Sequence, residues 1–140
     1  MLKLNGKVVE LNHFPDGTLR MDIDVFEHSD YREFYRINWK FENNEELVGL
    51  IYLVKHIRRF TKNSPIILYM NYIPNARMDR VKNNNDVFTL KYFSEIINSL
   101  NFNDVVVCDP HSSVSEALIN NIRISSIESL ITSILKRIGE

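Results

Sequence analysis

The chain has one cysteine, four glycines and four prolines in 140 residues, and its net charge is only −1 at neutral pH. Each scarcity excludes something. A single thiol, Cys108, cannot close an internal disulfide, so stability must come from a packed core. Its place within an apolar run reads as that of a small buried hydrophobe. Near-balanced charge gives no global attraction to nucleic acid or to an anionic membrane, so any anion site must be local. Arg58, Arg59, Arg77, Arg80 and Lys82 are the candidates for a local basic patch. No apolar run approaches the ~18 residues of a bilayer span, and the amino terminus lacks a basic-then-apolar signal pattern. The expectation is a soluble, cytoplasmic protein with neither a membrane nor a nucleic-acid partner.

Absent motifs narrow the chemistry further. There is no G-x-x-x-x-G-K loop, no cysteine cluster and no nucleophile elbow, which counts against P-loop kinases, zinc modules and α/β hydrolases. His13, His28 and His56 have no spacing that suggests a metal site.

What is present is core material: 44% of residues are hydrophobic, enough for one domain spanning 1–140. "KVVEL", "LRMDIDVF" and "EFYRINWKF" alternate as strands do, the second placing Leu19, Met21, Ile23 and Val25 on one face. From Asn44 the period changes to helical. Leu47, Leu50, Ile51, Val54 and Ile57 share a face, Glu45 and Glu46 open the helix, and Arg58 and Arg59 close it near Thr61. Next come an apolar strand "PIILYMNYI", a polar loop from Pro74 to about Val87, a helix from Phe88 to Leu100 and the strand "DVVVCD". A helix over 113–120, a strand "RISSI" and a helical run "ESLITSILKRIGE" complete the pattern. Strands without alternation imply cover on both faces. Strands alternating with helices predict an α/β domain with a mainly parallel, doubly wound sheet and flanking helices.

In such sheets ligands sit beyond the carboxyl ends of the strands. Two strands here end in polar segments, "NARMDR" and "DPHSS", which should therefore face one crevice. Arg77 and Arg80 bracket Asp79; guanidinium groups so placed suit a polyphosphate, with Asp79 holding one of them, or form a solvated ion-paired loop. Asp109 and His111, two apart, could share a divalent ion, or Asp109 could cap a turn beside a solvated His111. "HFPDGT" at 13–18 reads locally as a hairpin connection, and the asparagines at 83–85 as a mobile loop tip.

Taken in order, these pieces resemble the amino-terminal half of ribose-phosphate pyrophosphokinase, the phosphoribosyl pyrophosphate synthetases. "HFPDGT" is similar to the family's "RFSDGE", "YIPNARMDR" to "YFGYARQDR", and "KYFSEIINSLNFNDVVVCDPHSS" to "LVANLLETAGADRVLTLDLHA". The resemblance implies a phosphoribosyltransferase-like domain on the ATP side of an enzyme that moves the β,γ-diphosphoryl group of ATP to ribose 5-phosphate. By that match Phe14 and Asp16 hold adenine from a neighbouring subunit, Arg77 contacts ATP with Asp79 and Arg80 beside it, and His111 with Asp109 holds Mg2+. A pocket shared between subunits implies a homo-oligomer.

The departures from the family pattern are Thr18 for glutamate, Met78 for glutamine, "VKNNND" for a basic stretch, and Pro110 and Val114 in "DPHSSVSEA". The family's second domain, which carries the ribose 5-phosphate loop, has no counterpart in these residues. The expectation is therefore an ATP-side domain inactive by itself, or alternatively a non-catalytic regulatory or oligomerisation relative. An unrelated α/β nucleotide- or metal-binding domain is the third reading.

Overall fold

The computed structural model describes residues 1–26, 34–110, 113–125 and 135–139. The elements run β1 (Leu2–Leu4), β2 (Lys7–Val8), β3 (Asn12–His13), β4 (Leu19–Arg20), β5 (Tyr35–Trp39), α1 (Glu45–Phe60), β6 (Ile66–Tyr72), α2 (Thr89–Ser99), β7 (Asp104–Asp109), α3 (Ser113–Leu118) and β8 (Ile122–Ile124). Residues 135–139 are also helical. Residues 126–134, most of the expected last helix, lie outside the described residues, as do His28, Glu33 and His111.

A six-stranded sheet of order β2-β1-β5-β6-β7-β8 forms the centre. β5 through β8 are parallel, and β1 and β2 join antiparallel. This is the expected α/β, mainly parallel sheet with flanking helices. β1 and β2 meet at Asn5-Gly6, both with positive φ (47° and 86°), the backbone that an Asn-Gly hairpin turn supplies at least cost. Asn5 then locks β5 alongside: its Oδ1 accepts the Arg36 amide at 2.8 Å and its own amide donates to the Arg36 carbonyl.

Because the parallel strands advance in one direction, right-handed crossovers place α1, α2 and α3 on the same face. Burial agrees. Tyr35, Ile37, Trp39, Ile66, Leu68, Met70, Val105 and Val107 are buried in one cluster with Leu50, Leu53, Val54 and Ile57 of α1 and Leu90, Phe93 and Ile97 of α2. At roughly 1.5–3 kcal/mol per buried aliphatic or aromatic side chain, this interface dominates stability. The intervening strand residues are only half-buried, so the expectation of cover on both faces fails among the described residues. Apolar runs there arose from Ile67 and Val106 being tolerated half-exposed on the other face.

α1 begins with a reciprocal cap. The Asn43 side chain accepts the Glu46 amide at 3.2 Å, and Glu46 Oε1 accepts the amides of Glu42 and Asn43 at 2.7 and 3.2 Å. The Met1 ammonium pairs with the other Glu46 oxygen. α1 ends as Thr61 turns extended.

Two expected strands shrink, "KVVEL" pairing only over Lys7–Val8. "LRMDIDVF" pairs only through Leu19 and Arg20. Leu19, Met21 and Ile23 remain half-buried and Val25 buried, while Arg20, Asp22 and Asp24 are exposed. The alternation is real, but among the described residues no strand lies alongside to accept a ladder; a hydrogen bond from His56 Nε2 to the Ile23 carbonyl (2.8 Å) ties this segment to α1 instead. Cys108 is exposed rather than buried, since it falls near the end of β7 on the face opposite the buried Val105 and Val107.

Candidate functional site

β6 and β7 end side by side, with Tyr72 opposite Asp109 in their register. The two strand ends therefore share one edge of the sheet; of the segment after β7, residues 111 and 112 lie outside the described residues. A cleft of about 890 Å³ lies at that edge, lined by Phe41 beyond β5, Tyr72, Arg77, Met78, Asp79 and, at the start of α2, Thr89. The Tyr72 hydroxyl donates to the Phe41 carbonyl at 2.9 Å and closes the cleft's β5 side.

The loop after β6 is built by turns. Asn75 has φ 67°, and the amide of Met78 donates to the Asn75 carbonyl at 3.1 Å. Asparagine tolerates this left-handed backbone because its short side chain hydrogen-bonds locally. The turn leaves Arg77 exposed at the cleft, whereas Arg80 Nε pairs with Asp79 Oδ1 at 3.1 Å. Asp79 thus pairs with its chain neighbour Arg80, which suits the phosphate reading and the solvated ion-paired loop alike. Residues 82–86 close on themselves: the Asp86 carboxylate accepts the amides of Lys82 and Asn83, and Asn83 Oδ1 that of Asn85.

Asp109 is exposed at the last position of β7. Among the described residues no three His, Cys, Asp or Glu side chains converge on a metal position. Magnesium commonly keeps several waters and takes one or two carboxylates plus substrate phosphates. A single carboxylate at a strand end fits that mode of binding, though it makes no metal cage.

Phe14 and Asp16 occupy a different place. They sit in the β3–β4 hairpin, where Phe14 and Thr18 are joined by a backbone hydrogen bond of 2.8 Å and Gly17 takes φ 87°. Asp16 Oδ1 accepts the Thr18 hydroxyl at 2.7 Å and its amide at 3.0 Å, and these bonds hold the carboxyl below its ordinary value. The local hairpin reading is therefore right. Phe14 is 50% exposed and lines, with Arg20, Met21, Tyr52 and His56, a separate cleft of about 330 Å³ against α1. Within one chain the structure brings Arg77, Asp79 and the end of β7 to one edge, and leaves Phe14 in another cleft with Asp16 in the hairpin turn beside it.

Sequence reasoning missed Tyr72, Phe41 and Thr89 as cleft residues. Tyr72 lay within the expected strand "PIILYMNYI", one residue before its end; Phe41 and Thr89 reach the cleft only through the folding of distant segments.

No protein-family model matches the chain, and no curated protein is detectably similar to it. Solved structures do share its architecture. Phosphoribosylpyrophosphate synthetase from Mycobacterium smegmatis superposes on 93% of the chain with a TM-score of 0.68 and 14% sequence identity. The chain spans 43% of that protein's length. At this identity the likeness is one of fold.

Proposed function

We propose that the chain is the nucleotide-side domain of a ribose-phosphate diphosphokinase, with the cleft at the ends of β6 and β7 receiving the phosphates of ATP. The carrying observation is the register that sets Tyr72 opposite Asp109 and so opens the Arg77 loop beside the end of β7. The shared fold and the ordered resemblance of "HFPDGT", "NARMDR" and "DPHSS" support it.

In this reading the exposed Arg77 guanidinium binds phosphate oxygens through its planar fork. Asp79 orients the loop through Arg80, and Asp109 with His111 would hold Mg2+. The bound metal ion would neutralise phosphate charge as the diphosphoryl group moves. In the overall reaction the 1-hydroxyl of ribose 5-phosphate forms a bond to the β-phosphorus and loses its proton, while the bond from that phosphorus to the oxygen shared with the α-phosphate breaks, releasing AMP. This chain's residues would bind and orient; the resemblance puts the ribose 5-phosphate site in a second domain. Phe14 and Asp16 would serve adenine in a neighbouring subunit, which makes the working form a homo-oligomer.

The second reading, a non-catalytic relative, is favoured by Arg80 being taken up by Asp79 and by the neutral residues 83–85. Both reduce the positive charge a polyphosphate would meet.

Titration calorimetry with ATP and magnesium separates the two. Magnesium-dependent binding, weakened about tenfold or more in Arg77→Ala and in Asp109→Asn, is expected. Folded protein that gives no heat with nucleotide would set the ATP-side reading aside in favour of the non-catalytic one. Sedimentation showing only monomer at high concentration would remove the shared pocket.

A further inference from the structure

The face of the sheet turned away from α1–α3 carries a second arrangement that the nucleotide reading does not use. Side chains alternate along a strand, so Lys3 of β1, Arg36 and Asn38 of β5, and Tyr69 and Asn71 of β6 share that face. The register aligns Lys3 with Asn38 and Asn38 with Tyr69, forming one cross-strand row. A depression of about 320 Å³ lies over it, its polar side chains being Lys3, Arg36, Asn38, Lys40 and Asn71.

The lining side chains hold three cations and two carboxamides and no carboxylate, and Met1, also in the lining, has its ammonium paired with Glu42 and Glu46. In a chain of net charge −1 that is a local excess. The ion pairs among the described residues engage Met1, His13, Arg80 and Arg123, and neither Lys3, Arg36 nor Lys40 enters one. Arg36 is the centre of the arrangement. Its guanidinium lies 5.7 Å from the centroid of the Tyr69 ring, and its Nε is buried with no hydrogen-bond partner among the described residues. Stacking on an aromatic face limits how the guanidinium can turn. Several neighbouring cations repel one another, and one multivalent anion relieves that repulsion.

We propose that this depression binds a small phosphate-bearing ligand, at a site separate from the Arg77 cleft. Phosphate offers several strong acceptor oxygens and more charge than a carboxylate, which matches three cations with two amide groups beside them. The volume lies at the lower end of the ~300–1,000 Å³ of small-molecule pockets, so it suits inorganic phosphate or a compact phosphomonoester rather than a whole dinucleotide.

The test titrates the folded chain with inorganic phosphate in a calorimeter, with chloride at matched ionic strength as control. Saturable binding of phosphate alone is expected. Arg36→Met should weaken it by about tenfold or more, and Lys3→Met, at a position beside the hairpin turn that any folding defect at Arg36 leaves untouched, should weaken it in the same direction. Arg59→Ala, which removes a distant positive charge on α1, should leave affinity within about twofold. No saturable heat from folded protein, equal heats with chloride, or undiminished binding in both Arg36→Met and Lys3→Met would each overturn the assignment.

Discussion

Tyr72 of β6 stands opposite Asp109 of β7, and the hydroxyl of the same tyrosine donates to the carbonyl of Phe41 just beyond β5. One side chain therefore ties together the carboxyl ends of three neighbouring parallel strands, at the edge where the Arg77 loop begins. The candidate cleft owes its shape to this junction more than to any charged residue.

Tyr72→Phe keeps the ring and removes the donor. We expect a loss of about 0.5–1.5 kcal/mol, the usual net worth of one such hydrogen bond. Urea denaturation followed by circular dichroism reads it, and an unchanged midpoint would mean that water replaces the bond at no cost.

Glu46 makes stability depend on pH. Burial by itself would raise its carboxyl, but the Met1 ammonium and the amides of Glu42 and Asn43 outweigh burial and hold it below the ordinary value of 4.5. A carboxyl lowered in the folded state stabilises fully above the unfolded value and loses that contribution as pH falls through the folded one. Glu46→Gln should therefore cost about 1.5–3 kcal/mol at pH 7. The gap to wild type should narrow as denaturation is repeated below pH 4.5; a gap that stays constant with pH would refute the linkage.

Gly49 lies buried in α1, and a Cβ there would meet Leu11 Cδ2 at 2.9 Å and Leu2 Cδ1 at 3.4 Å. Leu11 is half-buried and presents the end of a flexible side chain, so it can yield. Helix propensity favours alanine by about 1 kcal/mol, which makes Gly49→Ala close to neutral. Gly49→Val should lose about 1–3 kcal/mol by overpacking. Thermal melts of the pair check the contrast, and a valine variant as stable as wild type would show the β1–α1 contact to be loose.

Cys108 is the chain's only thiol and is exposed. Ellman's reagent should modify one thiol per chain without denaturant, and Cys108→Ser should abolish the signal while leaving the melting temperature within about 2 °C. A thiol that reacts only in denaturant would restore the buried reading.

Much of the fold was legible because periodicity reports burial directly. The helical stripe from Leu47 to Ile57 and the run "PIILYMNYI" became α1 and β6 within a residue or two of their expected ends. Failures came where the pattern was correct but its meaning depended on neighbours. Among the described residues, Met21 and Ile23 alternate inward without becoming a strand, and Ile67 and Val106 belong to apolar runs although helices cover only one face of the sheet. The three-residue β1 carries too few positions for a period to show, and was found only through its partners.

The candidate site divides the same way. Arg77, Asp79, Arg80 and Asp109 were readable because a polar segment following an apolar run marks a strand end. The polar alternation Arg36-Asn38-Lys40 was visible too, but read only as the sign of a strand; that these side chains meet Lys3 and Asn71 over one depression depended on register.

The sequence by itself determined the alternation of strand and helix, the face each helix buries and the positions where the chain must turn, since these follow from local backbone preference and from which side chains water excludes. Tertiary structure alone decided that Tyr72 meets Asp109, that Asp79 engages Arg80 and leaves Arg77 at the cleft, and that Phe14 faces a different cleft. Those outcomes depend on the order and register of strands up to dozens of residues apart, and local preference carries no information about which distant edges will pair.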